Sequence, residues 1–143
     1  MGVERLGKGG VMKLDYTVET NKSFNQAVLA VESATTKAGF KVLYTHNIKS
    51  AVAKKGFEIE PFKIIEICNA KSAYTVLRAD IKIGLLLPCK INVYIKDGKT
   101  YISGMRPIIL PHFFPNSKLG NLPKEIDKVI KTIIDNAAGG EEK

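Results

Sequence analysis

The sequence describes a single α+β domain: a largely antiparallel sheet with helices packed on it and an added C-terminal helix. Three observations carry that expectation. The chain has 143 residues, and single domains cluster at about 100–150 residues. Apolar residues switch between period-two and helical spacing in the order strand, helix, strands, helix, hairpin, helix. Asp97-Gly98 sits between two alternating segments and marks a tight hairpin, because both central residues of a type I′ turn need positive φ.

Residues 1–10 carry no apolar run long enough for a signal peptide and are expected to be a flexible leader. Gly2, Gly7 and Lys8 imitate the start of a phosphate loop. Gly9 stands where a hydroxyl is needed, though, and no strand–loop–helix context surrounds the motif. The domain is expected over 11–138. Val11 to Thr20 alternates Leu14, Tyr16 and Val18 against polar residues, as a strand does. Ser23 and Gln26 then form a capping-box pattern, followed by Phe24, Ala27, Val28, Val31, Ala34 and Ala38 on one helix face and by Gly39 as a stop. Phe40 to Thr45 fits a returning strand, and Asn47 caps a short helix through Ala53.

Phe62 to Cys68 reads as a strand with Phe62, Ile64, Glu66 and Cys68 on one face and Lys63, Ile65 and Ile67 on the other. A helix over Ala70 to Ile81 aligns Ala73, Val76, Leu77 and Asp80. Around the Asp97-Gly98 turn, Lys96 faces Lys99, Tyr94 faces Tyr101 and Val93 faces Ile102. Cys89, Ile91, Val93 and Ile95 point toward the core. Arg106 to Asn121 holds three prolines and is expected to run extended. The last helix, about 122–138, starts at Leu122-Pro123 and buries Leu122, Ile126, Val129, Ile130, Ile133 and Ala137. Asp127 and Lys131 are expected to pair on its solvent side. Residues 139–143 are expected to be a disordered tail.

Several of these residues carry a family likeness. The run Ile64-Ile65-Glu66-Ile67-Cys68-Asn69, the helix with Leu77, the segment Gly84-Leu85-Leu86-Leu87-Pro88-Cys89-Lys90 and the Gly98 hairpin ending Met105-Arg106-Pro107 resemble the family catalogued as domain of unknown function 302. The likeness covers about 11–107 and leaves the terminal helix unexplained. It implies a small protein of this fold that pairs as a homodimer, and it implies no established activity. Members usually carry proline after the asparagine; this chain has Ala70.

Two cysteines are too few for a disulfide scaffold or a four-cysteine zinc module. Cys68 ends one strand and Cys89 begins another, so a crossover between them can return the chain beside its start. Glu66, Cys68, Asn69 and Cys89 are therefore the candidate ligand-binding residues, with Cys68 and Cys89 as candidate ligands of a soft metal or carriers of a sulfur species. Against this stands the frequency with which free cysteine is simply core. Glu66 needs a partner on its apolar strand, which Lys90 or Arg78 could supply, and it reads as a structural ion pair ahead of a general base. Asn69 is expected to cap the following helix. His46 and His112 are read as solvated loop residues. No serine elbow or zinc-protease motif occurs and no nucleophile–base pair stands out, so no catalytic residue or cofactor is assigned.

The formal charge of +8 raises the alternative of a polyanion such as nucleic acid. Only Arg5, Arg78 and Arg106 among the 22 basic residues are arginines, and the lysines are scattered rather than clustered. This is a poor set for reading bases. A third alternative is a scaffold on which Pro107 to Pro115, with Ile108, Ile109, Leu110, Phe113 and Phe114, docks a partner. The uncharged stretches Ile83 to Cys89 and Pro107 to Ser117 are too short to span a membrane. A cytoplasmic homodimer that binds a small ligand, metal or sulfur species near its two cysteines, with no membrane partner, is the expectation.

Overall fold

The computed structural model describes residues 13–139. The expected leader, its phosphate-loop imitation and residues 140–143 of the expected tail lie outside the described residues. Gly139 is described and makes a turn with φ +96°. The elements are β1 (Asp15–Thr20), α1 (Phe24–Lys37), β2 (Lys41–Asn47), α2 (Ile48–Ala53), β3 (Phe62–Cys68), α3 (Ala70–Ala79), a 3-10 segment (Ile81–Leu86), β4 (Cys89–Lys96), β5 (Lys99–Met105), a 3-10 turn (Pro107–Ile109), α4 (Leu110–Phe113) and α5 (Leu122–Ala137). The strands form one antiparallel sheet in the order β1-β5-β4-β3-β2. The architecture is α+β.

Local chemistry explains most boundaries. Ser23 Oγ accepts from the Gln26 amide, and Gln26 Oε1 accepts from the Ser23 amide, which closes the capping box. Gly39 takes φ +86° just past α1, where a side chain would be strained. Asn47 Oδ1 accepts from the Ser50 amide and starts α2. The β4–β5 hairpin has the expected register, with Tyr94 opposite Tyr101 and Val93 opposite Ile102. Asp97 and Gly98 both have positive φ in its turn.

The core lies between one sheet face and helices α1 and α5. Ile65, Ile67, Ile91, Val93 and Ile102 on the sheet meet Val31, Ile130, Ile133 and Ile134 from the helices, all almost wholly buried. At Gly104 a Cβ would lie only 3.0 Å from Ile134 Cδ1, so α5 packs directly on β5 there. A second, smaller cluster of Val76, Ile83, Leu110 and Leu119 sits between α3, the 3-10 segment and the chain after β5.

Three expectations need correction. First, the helix after Asn69 ends at Ala79 rather than Ile81. Asp80 turns extended, and its Oδ1 accepts from the Lys82 amide, which caps a separate 3-10 segment. Second, the Arg106 to Asn121 region is not an extended excursion. Pro107 and Pro111 each occupy a first helical turn, where a missing N–H costs nothing. Third, Asp127 does not pair with Lys131 in solvent. It is 5% exposed and accepts two bonds from Arg106, Nε to Oδ1 at 3.2 Å and Nη2 to Oδ2 at 3.0 Å. Lys131 lies over the Tyr16 ring instead, 5.1 Å from its centroid.

Candidate functional site

β3 and β4 are neighbours, with Ile67 opposite Cys89. The last residue of β3 and the first of β4 therefore lie at the same end of the sheet. The chain between them climbs through α3 and returns through the 3-10 segment. Asn69 fastens the start of this excursion. Its Oδ1 accepts from the Ser72 amide at 2.9 Å, and its Nδ2 donates to the Gly39 carbonyl at 3.3 Å, tying α3 to the end of α1. Asp80 fastens the turning point. Besides capping the 3-10 segment, its Oδ2 accepts from Ser117 Oγ at 2.7 Å, and these two bonds hold its carboxyl below the usual range.

Under this cover lies a cavity of about 350 Å³. It sits where the two apolar clusters meet. Ile67 and Ile126 wall it from the main core, Val76, Ile83 and Leu110 from the smaller one, and Leu86, Leu87 and Pro88 from the cover. Its polar wall is short: Asn69, Ser72 and the two thiols. A volume of this size falls within the roughly 300–1,000 Å³ of small-molecule sites.

Of the four candidate residues, Cys68, Asn69 and Cys89 line this cavity. Asn69 also caps α3. Cys68 and Cys89 are both free and half-buried. The register makes them diagonal neighbours on adjacent strands that alternate faces, so they enter the cavity from different sides. Burial pushes the Cys89 thiol up to about 11, and the neighbouring Cys68 adds to the effect. At neutral pH Cys89 is a protonated, weakly polar group and not a nucleophile. Among the described residues no group of three or more His, Cys, Asp or Glu gathers to hold a metal ion.

Glu66 is not part of this cavity. It lies two residues before Cys68 on the sheet face away from α1 and α5, where its Oε2 is 3.1 Å from His46 Nε2. The expected partners are otherwise engaged: Lys90 Nζ donates to the Pro88 carbonyl and Arg78 to Tyr74 Oη. His46 is consequently not a loop residue. β2 runs on to Asn47, which puts His46 opposite Ile64 and beside Glu66, with the Tyr44 ring edge-on at 4.7 Å. His112 is exposed on α4. Part of the wall comes from residues that the sequence does not connect with the cysteines, namely Phe40, Leu43, Met105, Pro107 and Ile126. They come from separate segments, and no spacing rule connects them.

Two other surfaces bear on the polyanion and scaffold alternatives. Phe62, Tyr94 and Tyr101 form a ladder across β3, β4 and β5, with ring centroids 5.5 and 5.6 Å apart. Their faces are turned to one another rather than offered to nucleic-acid bases. In the Pro107 to Pro115 segment, Ile109 and Leu110 are buried in the domain, while Phe113 remains 60% exposed. The segment is thus divided, with Pro107, Ile109 and Leu110 packed inward and Pro111, His112, Phe113 and Pro115 exposed.

Comparison with known proteins places this architecture. A family model described as a domain of unknown function, DUF302, matches residues 16–137. The chain belongs to the DUF302 family. The match runs through α5, well past Pro107, so the terminal helix and the whole cavity wall lie within the DUF302 span. A crystal structure of an uncharacterised conserved DUF302 protein from Bacillus stearothermophilus is similar at 28% identity. Its TM-score is 0.81, and the match covers 87% of this chain and 98% of that one. No functionally curated protein matches the chain. Among the described residues of this DUF302 domain, no helix is long and apolar enough to cross a membrane.

Proposed function

We propose that this DUF302 domain binds a small, largely apolar molecule in the cavity at the end of β3 and β4. The observation that carries the reading is a 350 Å³ space walled by aliphatic side chains, with polar atoms confined to Asn69, Ser72 and two thiols. Concave sites lined mainly by apolar side chains with a few polar groups accept small, largely apolar guests. The protonated Cys89 offers such a guest a soft, weakly polar contact, and the two thiols, which gather no third ligand among the described residues, are a meagre set for a metal. The neutral fluorophore N-phenyl-1-naphthylamine is the direct probe. Wild type is expected to bind it saturably at one site. Ala73→Phe, which fills the wall from α3, should weaken binding by about tenfold or more with little change in melting temperature, because a filled pocket loses the contacts. No saturable binding by the wild type would remove the proposal.

A second reading concerns assembly. The sheet face away from α1 and α5 carries Phe62, Ile64, Asn92, Tyr94, Tyr101 and Ser103, and each keeps contact with solvent. At its centre stands Asn92, whose Oδ1 is buried within the chain and has no hydrogen-bond partner among the described residues. Five strands at about 4.8 Å spacing present roughly 500 Å². Two copies face to face would bury roughly 1,000 Å², near the lower bound for a specific interface. We infer that two copies pair through this face. Sedimentation velocity should show a dimer for the wild type and a folded monomer for Tyr94→Glu. A monomeric wild type at high concentration contradicts it.

A further inference from the structure

We propose that the 3-10 segment is a docking element for anionic phospholipid surfaces. This goes beyond the cavity reading and is tested separately from it. The segment turns Ile83 inward, wholly buried, and leaves Ile81 75% and Leu85 85% exposed. These are among the most exposed large apolar side chains of the described residues. They project from the same short cover whose Ile83, Leu86 and Leu87 wall the cavity. An internal packing role does not explain them.

The charge along this stretch of chain is one-sided. Between residues 70 and 90 the chain carries Lys71, Arg78, Lys82 and Lys90 against the single acid Asp80. All four basic residues are exposed. Asp80 is committed to Ser117 and to the Lys82 amide. None of the four basic side chains makes an ion pair among the described residues. Tyr74, 63% exposed, lies on the same excursion, with the Arg78 guanidinium 5.7 Å from its ring centroid and bonded to its hydroxyl.

Aliphatic tips flanked by lysines, with an amphipathic tyrosine beside them, fit the boundary between acyl chains and anionic headgroups. The tips enter the apolar layer, and the ammonium groups meet phosphate. A wholly polar acidic surface would satisfy the lysines but leave Ile81 and Leu85 without apolar contacts. A membrane satisfies both sets at once, and apolar molecules of the kind the cavity would take partition into it. The expectation of no membrane partner rested on segment length, which bears on spanning and not on docking. The docked segment spans nothing.

The test is flotation of the full chain with vesicles of pure phosphatidylcholine and of phosphatidylcholine with phosphatidylglycerol. Binding is expected to the anionic vesicles only and to fall as salt is raised. Leu85→Ser and Lys82→Glu should each lower the partition coefficient by about fivefold or more. Both positions are exposed, so unchanged melting curves confirm that the variants are folded. Absence of binding to anionic vesicles overturns the proposal. So does equal binding by the Leu85→Ser variant, or a Leu85→Ser variant that loses self-association while its lipid binding is unchanged, since a second copy then covers the segment. Vesicle binding without naphthylamine binding leaves the docking in place and removes the cavity reading; the reverse result removes the docking alone.

Discussion

Arg106→Leu is expected to destabilise the domain by about 3 kcal/mol at neutral pH. The cause is what it leaves behind. Asp127 is 5% exposed on the inner side of α5, and its two oxygens accept from Arg106 Nε and Nη2. A buried carboxylate without its partner keeps the cost of leaving water and loses the bidentate bonds that offset it. The pair also joins distant parts of the fold, because the Arg106 amide donates to the Leu14 carbonyl at 2.8 Å, just before β1. Urea denaturation should show a lower midpoint with an unchanged slope. Replacing both residues with leucine should recover most of the loss, since the unpaired charge is then gone. A loss below about 1 kcal/mol for Arg106→Leu would mean that the pair behaves as a solvated surface contact.

The second large effect is alkaline. The Cys89 thiol ionises at 9.0 in an unfolded chain and at about 11 in the fold. Its stabilising contribution is therefore complete below pH 9 and is lost as pH rises from about 9 to about 11. In that window the unfolded chain has already released the proton that the native state still holds. Two pH units correspond to roughly 2–3 kcal/mol. Tyr16, through its hydrogen bond to Asp135, and Tyr94, through burial, are also shifted upward and act in the same direction. Cys89→Ala isolates the thiol. Its stability should fall less steeply between pH 9 and 11 than that of the wild type. Parallel slopes for the two proteins would show that the thiol is not shielded.

What the sequence disclosed, and what it hid, follows the range of each interaction. Ser23, Asn47 and Asn69 each bond an amide three residues ahead, and these caps were legible because donor and acceptor lie in one short window. The hairpin was legible for the same reason, since Asp97-Gly98 defines its register. Asp127 was not. Its partner lies 21 residues upstream on another element, and helical spacing alone placed it beside Lys131. Glu66 and His46 meet across strands because β2 runs two residues further than its apolar pattern indicated. The proline count of the Arg106 to Asn121 region implies extended chain, whereas the position of each proline decides its conformation. Pro107 and Pro111 sit in first turns, the same allowance correctly given to Pro123. Cys68, Asn69 and Cys89 were found as a group because a crossover returns the chain beside its start. The apolar cavity between them depends on Phe40, Met105 and Ile126, which only the fold brings together.

The cavity reading is tested most directly by methyl-resolved NMR of isoleucine-labelled protein titrated with N-phenyl-1-naphthylamine. Ile67, Ile83 and Ile126 line the cavity, whereas Ile64 lies on the opposite sheet face and Ile95 near the hairpin turn. The account predicts saturable shifts at Ile67, Ile83 and Ile126, with Ile64 and Ile95 unmoved. Shifts confined to Ile64, or no saturable shift at any isoleucine, would contradict it.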